Sequence, residues 1–258
     1  VSDGAVSQTT SGTGVGVTID TARGITTSGK NVSFAADVTL KNTSGTGILT
    51  IDTTSGSTSG ANVSFGGKLD GTSDDAEGLT VNSGTGGTLH FSGAVGSVKR
   101  LGAITIVDAK DVIEDSGMSA ASVVQSAGTG TTTFSGAVNT NSSAGVNIAT
   151  TTIVVNAGIT TTNSGVVSFA NASLLTLNGE VVSDGAVSQT TSGTGVGVTI
   201  DTARGITTSG KSVSFAADMT LDKTSGTGIL TIDTTSGTTS GANVSLGGKL
   251  DGTSRSEE

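Results

Sequence analysis

The stretch Gly60-Ala61-Asn62-Val63-Ser64-Phe65-Gly66 contains a turn glycine, a short alternating strand that ends in phenylalanine, and a small residue. The same order recurs at residues 29–35, 87–92, 130–135 and 165–170. Alternate residues of a strand point to the same face, and glycine supplies the backbone conformations that sharp corners need. Such a repeat predicts stacked coils of roughly 20 to 30 residues, in which each phenylalanine points inward near its neighbour in the next coil.

Alternation of period two continues along the whole chain, in strands of four to six residues separated by SG, TG and GG turn signals. No segment has a convincing helical period. The single faint helical candidate, Asp108 to Asp115, is still interpreted as strand and turn. The pattern predicts an all-β, elongated parallel β-helix, a solenoid, with about eight to thirteen coils.

Composition supports a narrow, repetitive core. The 258 residues include 41 Gly and six Phe, but no Pro, Cys, Trp or Tyr. An ordinary globular core of this size would lack the large aromatic side chains that usually fill it. Disorder also fits poorly, because only 13% of the residues are charged and Val, Ile and Thr recur in alternating runs. A core of small aliphatic side chains, repeated along an axis, satisfies both observations.

A tandem repeat organises the chain: residues 1–73 recur at 182–254, so the unit is 181 residues long. Six of these 73 pairs differ, and Lys41 becomes Asp222 while Asn42 becomes Lys223, which indicates solvated surface at both places. We interpret residues 1–258 as one continuous β-solenoid and, since it starts in mid-repeat, as part of a longer protein. Residues 255–258 leave the repeat, either as natural variation or as an expression scar.

A solenoid also predicts equal burial for residues 181 positions apart. We expect Phe34 and Phe215 inside, Lys41 and Asp222 outside, and Phe65 and Leu246 in equivalent core positions.

Charge excludes some function classes. The net charge of −9 is spread thinly, with neither a basic patch nor aromatic residues for stacking, so we expect no nucleic-acid partner. No run of 18 apolar residues occurs, which predicts no membrane span. The glycine-rich stretches lack the spacing of phosphate-binding loops and are explained by turns.

Asp74, Asp75 and Glu77 form the best chemical candidate, because closely spaced carboxylates in a loop can bind calcium. Lys99 and Arg100 should lie one coil away. Polysaccharide lyases with a parallel β-helix use calcium bound by carboxylates together with a basic residue, so a lyase site could be formed here. The alternative is a solvated loop that keeps the stack soluble, and Glu114 and Asp115 are interpreted in the same way.

His90, the single histidine, lies between Leu89 and Phe91, which predicts a surface strand position rather than a catalytic one. Ser116 to Gly179 contains no charged residue. Its Thr and Asn residues could form a flat contact ladder for glycan, another fibre or ice, or simply a hydroxyl surface that solvent satisfies, which we favour.

The phrases Thr131 to Val138, Gly87 to Val95 and Leu101 to Ile106 resemble the repeats of filamentous-haemagglutinin-like and giant repetitive bacterial surface proteins. This resemblance implies a right-handed parallel β-helix, secreted or displayed on a bacterial cell surface, that serves as a fibre, stalk, adhesin or cell-contact spacer. It brings no catalytic residues, and we expect no enzyme activity. The expected partners are neighbouring repeats, end-to-end copies, and a glycan or cell-surface receptor.

Two other classes remain open. One is a carbohydrate-binding or polysaccharide-cleaving β-helix that uses the Asp74, Asp75 and Glu77 loop with calcium. The other is a string of immunoglobulin-like sandwiches, although these would be expected to contain a Trp or Tyr core anchor and Pro in their loops.

Overall fold

The structure is a computed structural model that describes residues 1–224, 228–237 and 240–253. These residues form 27 strands and no helix, and the strands stack in parallel as a β-solenoid of about ten turns. The all-β solenoid predicted from the alternating pattern is thereby confirmed. Strand partners on successive coils lie between 19 and 31 residues apart, as between Leu101 and Ala120 or Val32 and Val63.

Each coil has three faces, here called A, B and C, which the chain visits in that order. Face A contains β1 Val6–Gln8, β4 Val32–Phe34, β7 Val63–Phe65, the second halves of β9 Gly78–Phe91 and β10 Leu101–Glu114, β12 Thr131–Phe134, β15 Thr152–Val155, β18 Leu174–Leu177, β21 Gly197–Asp201, β24 Asp218–Asp222 and β27 Leu250–Gly252. Face B contains β2 Gly16–Asp20, β5 Asp37–Lys41, β8 Leu69–Gly71, the start of β11 Met118–Gln125, β13 Val138–Thr140, β16 Ile159–Thr161, β19 Val181–Ser183, β22 Gly205–Thr208 and β25 Thr231–Asp233. Face C contains β3 Ile25–Thr26, β6 Ile48–Asp52, the first halves of β9 and β10, the end of β11, β14 Val146–Thr150, β17 Val167–Asn171, β20 Val187–Gln189, β23 Val213–Phe215 and β26 Val244–Leu246. Because β9, β10 and β11 run around corners, 24 strands join into one sheet, while β2, β5 and β8 form a separate three-stranded sheet.

The core is a narrow column of aliphatic side chains with a short aromatic stack. Val63 and Phe65 are fully buried, whereas Ser64 between them is half-buried on the outside. Phe34, Phe65 and Phe91 stack on successive coils of face A, with ring centroids 5.6 Å and 5.4 Å apart. The prediction that phenylalanines point inward next to their neighbours is confirmed for these three.

Glycine is required where coils approach closely at a corner. Gly60 has a φ of +61°, and a Cβ atom placed there would lie 2.0 Å from the carbonyl oxygen of Ser83 in the next coil. Any larger residue would have to move that backbone, which explains why short strands alternate with glycine turns in this sequence.

The two sequence copies stack their strands in the same way but on different faces. Val6 pairs with Val32 on face A, and the equivalent pair of Val187 with Val213 lies on face C. Seven turns lead from Val6 to Leu175 on face A, and the chain then crosses face B to reach Val187. The 181-residue unit therefore winds seven and two thirds turns, so the second copy is rotated by one third of a turn.

Burial agrees between the copies except near the first and the last described coils, and Val6, for example, is half-buried whereas Val187 is buried. Phe34 and Phe215 are both buried, as predicted. Lys41 is exposed, whereas Asp222 is half-buried. Phe65 is fully buried but Leu246 is 40% exposed, so the prediction of equivalent core positions is wrong for this pair. Phe65 is covered by Phe91 of the next coil, and no described coil follows Leu246.

Candidate functional sites

The acidic loop 72–77 connects β8 to β9, and its three candidate side chains differ in burial. Asp74 and Asp75 are exposed, whereas Glu77 is buried, with 2% of its surface exposed. Within the residues that the structure describes, no group of three or more Asp, Glu or His side chains converges on a point that could hold a metal ion. The calcium site at Asp74, Asp75 and Glu77 stays a prediction.

Glu77 acts as a hydrogen-bond acceptor for its own loop. One carboxylate oxygen accepts the Thr72 hydroxyl at 2.6 Å and the Asn42 amide at 3.4 Å, and the other accepts the amides of Thr72 and Ser73 at 3.0 Å and 3.2 Å. Burial raises the pKa of Glu77, but the hydrogen bonds from Thr72, Ser73 and Asn42 outweigh it and hold the pKa below its ordinary value. The interpretation of Glu77 as part of a solvated loop is wrong, because its carboxylate is buried and accepts hydrogen bonds from the residues of its own loop.

Asp74 and Asp75 contact the basic residues that the sequence placed one coil away. Asp74 accepts the backbone amide of Arg100 at 3.0 Å, and its other oxygen lies 3.4 Å from the Lys99 ammonium. These contacts, the Arg100 amide first, lower the pKa of Asp74. Asp75 lies 3.9 Å from the Arg100 guanidinium and accepts the Asn141 amide at 2.8 Å.

Arg100 links four successive coils on this side of the solenoid. Besides its contact with Asp75, its guanidinium donates to the carbonyl oxygens of Ala120 at 3.2 Å and Asn139 at 3.0 Å. A side chain held in this way is a structural clamp, since two of its donors are used by the backbone.

His90 is half-exposed on face A between the buried residues Leu89 and Phe91, as the alternation predicts. Its Nε2 atom lies 2.8 Å from Asp115 and 3.3 Å from the Ser92 hydroxyl. A nucleophile–base–acid relay needs the acid and the nucleophile on opposite ring nitrogens. Here both contact the same nitrogen, so this Ser, His and Asp arrangement lacks the geometry of a triad.

Glu114 is the second acidic residue whose position differs from the solvated-loop prediction. It is fully buried at the end of β10, in register between Phe91 and Phe134. Its carboxylate accepts the backbone amides of Ser116 at 2.7 Å, Gly117, and Gly136 at 2.9 Å. The signal was available in the sequence, because Glu114 is in phase with the inward residue Val112.

Gln8 and Gln189, at equivalent positions of the two copies, accept the same pair of backbone hydrogen bonds from the next coil. The side-chain oxygen of Gln189 accepts the amides of Ala216 and Ala217, both at 3.0 Å, and that of Gln8 does the same for Ala35 and Ala36. Sequence reasoning did not find these residues, and the one available signal is their inward phase at the end of a strand.

The uncharged segment Ser116 to Gly179 directs many of its polar residues inward. The buried ones are Ser122, Gln125, Thr132, Thr140, Thr150, Thr161 and Asn171. Thr132, for example, donates to Gln125 at 2.6 Å, and Thr161 contacts Ser183 of the next coil at 3.1 Å. The contact ladder and the solvated hydroxyl surface both concern hydroxyl groups that point outward. They therefore apply only to the outward-facing residues of this segment and not to its buried polar residues.

The described part of the chain contains no helix with the length and apolar character needed to cross a membrane. Comparisons of the chain with protein family models, with curated proteins and with solved structures gave no match.

Proposed function

We propose that this chain is a structural repeat region of a long bacterial extracellular or cell-surface protein, in which it forms a fibre, stalk or adhesive cell-contact spacer. The observation that carries the proposal is the passage from one sequence copy to the next without a break in stacking. Val167 of the intervening segment pairs with Val187 of the second copy in the same parallel arrangement as the strands on either side. Further units would therefore lengthen the same rod.

The third-turn rotation adds a consequence for such an array. Each unit would extend the rod by about 37 Å, at about 4.8 Å per coil. Successive units would present the same residues on faces A, C and B in turn, and three units would complete 23 turns. A contact surface on one unit would then be displayed in three directions, which suits a fibre that meets partners from any side.

End-to-end association is proposed for this 258-residue chain produced by itself, without a further unit stacked on its last coil. Ile229, Leu246 and Leu250 are 66%, 40% and 51% exposed near the last described coil, whereas Phe65 and Leu69, the copies of the last two, are fully buried beneath the next coil. Unpaired strand edges and apolar side chains favour stacking on another coil.

The fibre proposal is tested by producing one, two and four tandem units and measuring particle length by small-angle scattering and electron microscopy. We expect length to rise by about 37 Å per unit at constant width. Separate beads, or length that does not rise with unit number, would contradict the proposal. Antibodies against this chain should label the surface of intact cells of its source organism, and labelling only after lysis would refute the location.

A further inference from the structure

The first and last described turns of the solenoid expose apolar side chains at strand edges that pair with no other described strand. In the last turn, Val244 and Leu246 of β26 are 47% and 40% exposed, and Leu250 of β27 is 51% exposed. In the first turn, Val6 of β1 and Val17 of β2 are half-buried. Strand edges with apolar side chains favour pairing with a further strand.

The second sequence copy shows the first-turn residues with a coil against that edge. Val187 and Val198, the copies of Val6 and Val17, are each 1% exposed. Val187 pairs there with Val167 of the preceding coil. The first turn therefore buries its apolar residues only when another coil lies against its free edge.

The structure also contains a model for the coil that fits this edge. Val187-Ser188-Gln189 lies in register with Val167-Ser168-Phe169, which is followed by a small residue. The last described turn has the same order of valine, serine, large apolar residue and small residue in Val244-Ser245-Leu246-Gly247. The first turn has Val6-Ser7-Gln8, which is identical to the upper strand of that inner pair. The two ends of the chain thus reproduce an interface that already exists within it.

We propose that two copies of this chain join head to tail, with β1 of one copy pairing in parallel with β26 of the other. This inference rests on the end-to-end association proposed above and adds its partner, polarity and register. Ser7 would lie beside Ser245 on the outside of the rod. Inside, Val6 of one copy would cover Val244, as Val187 covers its partner in the inner pair.

The beginning of the chain selects face C over the other two faces. Ser2 pairs with Thr27 at the end of β3, so residues 1–2 occupy the strand position that precedes β1. If β1 lay on β25, residues 1–2 would overlap with β27. If β1 lay on β27, β25 and most of β26 would stay uncovered. With β1 on β26, residues 1–2 reach the end of β25 and β2 covers β27, so the coil continues without overlap.

This register also determines the geometry of the assembly. A head-to-tail contact leaves one free edge at each end of the pair, so longer assemblies form as the concentration rises. Each added copy contributes about ten turns. At about 4.8 Å per coil, the rod should lengthen in steps of about 45 to 50 Å at constant width.

The first test cross-links whole chains that each carry one cysteine, since the chain contains none of its own. Ser7→Cys is mixed with Ser245→Cys and oxidised mildly, and a tag on one chain identifies mixed dimers under non-reducing conditions. Asp251→Cys on face A and Asp233→Cys on face B replace Ser245→Cys in the controls. We expect a mixed-dimer yield about tenfold or more above either control, because a disulfide spans Cα atoms no more than about 7 Å apart.

The second test follows particle length by small-angle scattering and sedimentation over a concentration series. Leu246→Arg should abolish the stepwise lengthening, and since Leu246 is already partly exposed, its circular dichroism spectrum should stay that of the unsubstituted chain. Val182→Arg places the same charge at a 36% exposed residue on the side of the rod and should leave the lengthening unchanged.

Four outcomes would overturn the proposal. They are preferential cross-linking of Ser7→Cys with either control partner, preferential cross-linking of Ser245→Cys chains with each other, association that survives Leu246→Arg, and a particle that stays monomeric at every concentration. None of them would alter the lengths of covalently joined tandem units, which test the fibre separately.

Discussion

Thr176 and Thr199 are direct neighbours on face A, in register between β18 and β21, although Thr199 is the sequence copy of Thr18, which lies on face B. A unit with a whole number of turns would have kept both copies on one face. This pairing therefore shows that the second sequence copy is rotated by a third of a turn relative to the first.

This register can be tested by disulfide formation, since the chain contains no cysteine of its own. Neighbouring parallel strands place Cα atoms about 4.8 Å apart, within the range that a disulfide spans. Thr176→Cys with Thr199→Cys should cross-link on mild oxidation, as seen by a mobility shift under non-reducing conditions. The control pair is Val182→Cys with Thr199→Cys. Val182 lies on face B, where Thr199 would also lie if the unit had a whole number of turns, so preferential cross-linking of that pair would disprove the rotation.

Glu114→Ala should destabilise the fold by about 3 to 5 kcal/mol, because it leaves three backbone amides of two coils without their acceptor. Urea denaturation measures the loss, and faster hydrogen exchange at the Ser116 and Gly136 amides would locate it. Asp115→Ala removes the adjacent exposed carboxylate and should cost no more than about 1 kcal/mol. Equal effects of the two substitutions would refute the structural role of Glu114.

Val63→Asp should cost several kcal/mol, since it places a carboxylate at a fully buried position between coils. Lys41→Asp should change the free energy of unfolding by no more than about 0.5 kcal/mol, because Lys41 is exposed and the second copy carries Asp222 at that position. Thermal and urea unfolding of both variants give the comparison. A large effect of Lys41→Asp would contradict the stacked-coil arrangement.

Acid should weaken the loop that Glu77 organises. Its folded pKa lies below the ordinary value of 4.5, so its stabilising contribution is complete above that value and is lost as pH falls through the folded pKa. Melting temperatures measured from about pH 6 to about pH 3 should fall in acid, and Glu77→Gln should flatten the fall. Glu180→Gln, at an exposed glutamate, is the control and should leave the slope unchanged.

Calcium should leave the melting temperature unchanged, because Glu77 is occupied by four donors and Asp74 and Asp75 contact Lys99 and Arg100. We also expect no cleavage of acidic or neutral polysaccharides with calcium present. A calcium-dependent rise in melting temperature, or eliminative cleavage abolished by Asp75→Ala, would instead support the carbohydrate-active alternative.

The candidate site shows where reasoning from the sequence stops. Contact between Asp74 and Lys99 could be predicted, because coil stacking brings loops one coil apart together. The inward position of Glu114 could have been predicted from its alternation with Val112. The general preference of carboxylates for solvent outweighs that signal when only the sequence is considered. Nothing in the sequence places Asp108 beside a register shift, since that depends on how β9 and β10 fit against each other.

The sequence by itself determined the solenoid, the inward direction of Val63 and Phe65, and the solvated position of Lys41. These follow from alternation within single strands and from glycine at corners, which are local properties. Only the tertiary structure decided that the second copy lies a third of a turn from the first, and that Glu77 and Glu114 serve the interior. The rotation of the second copy depends on how many residues every coil of the 181-residue unit takes, which no single strand reveals. A carboxylate can be buried only where folding brings backbone amides to it as hydrogen-bond donors.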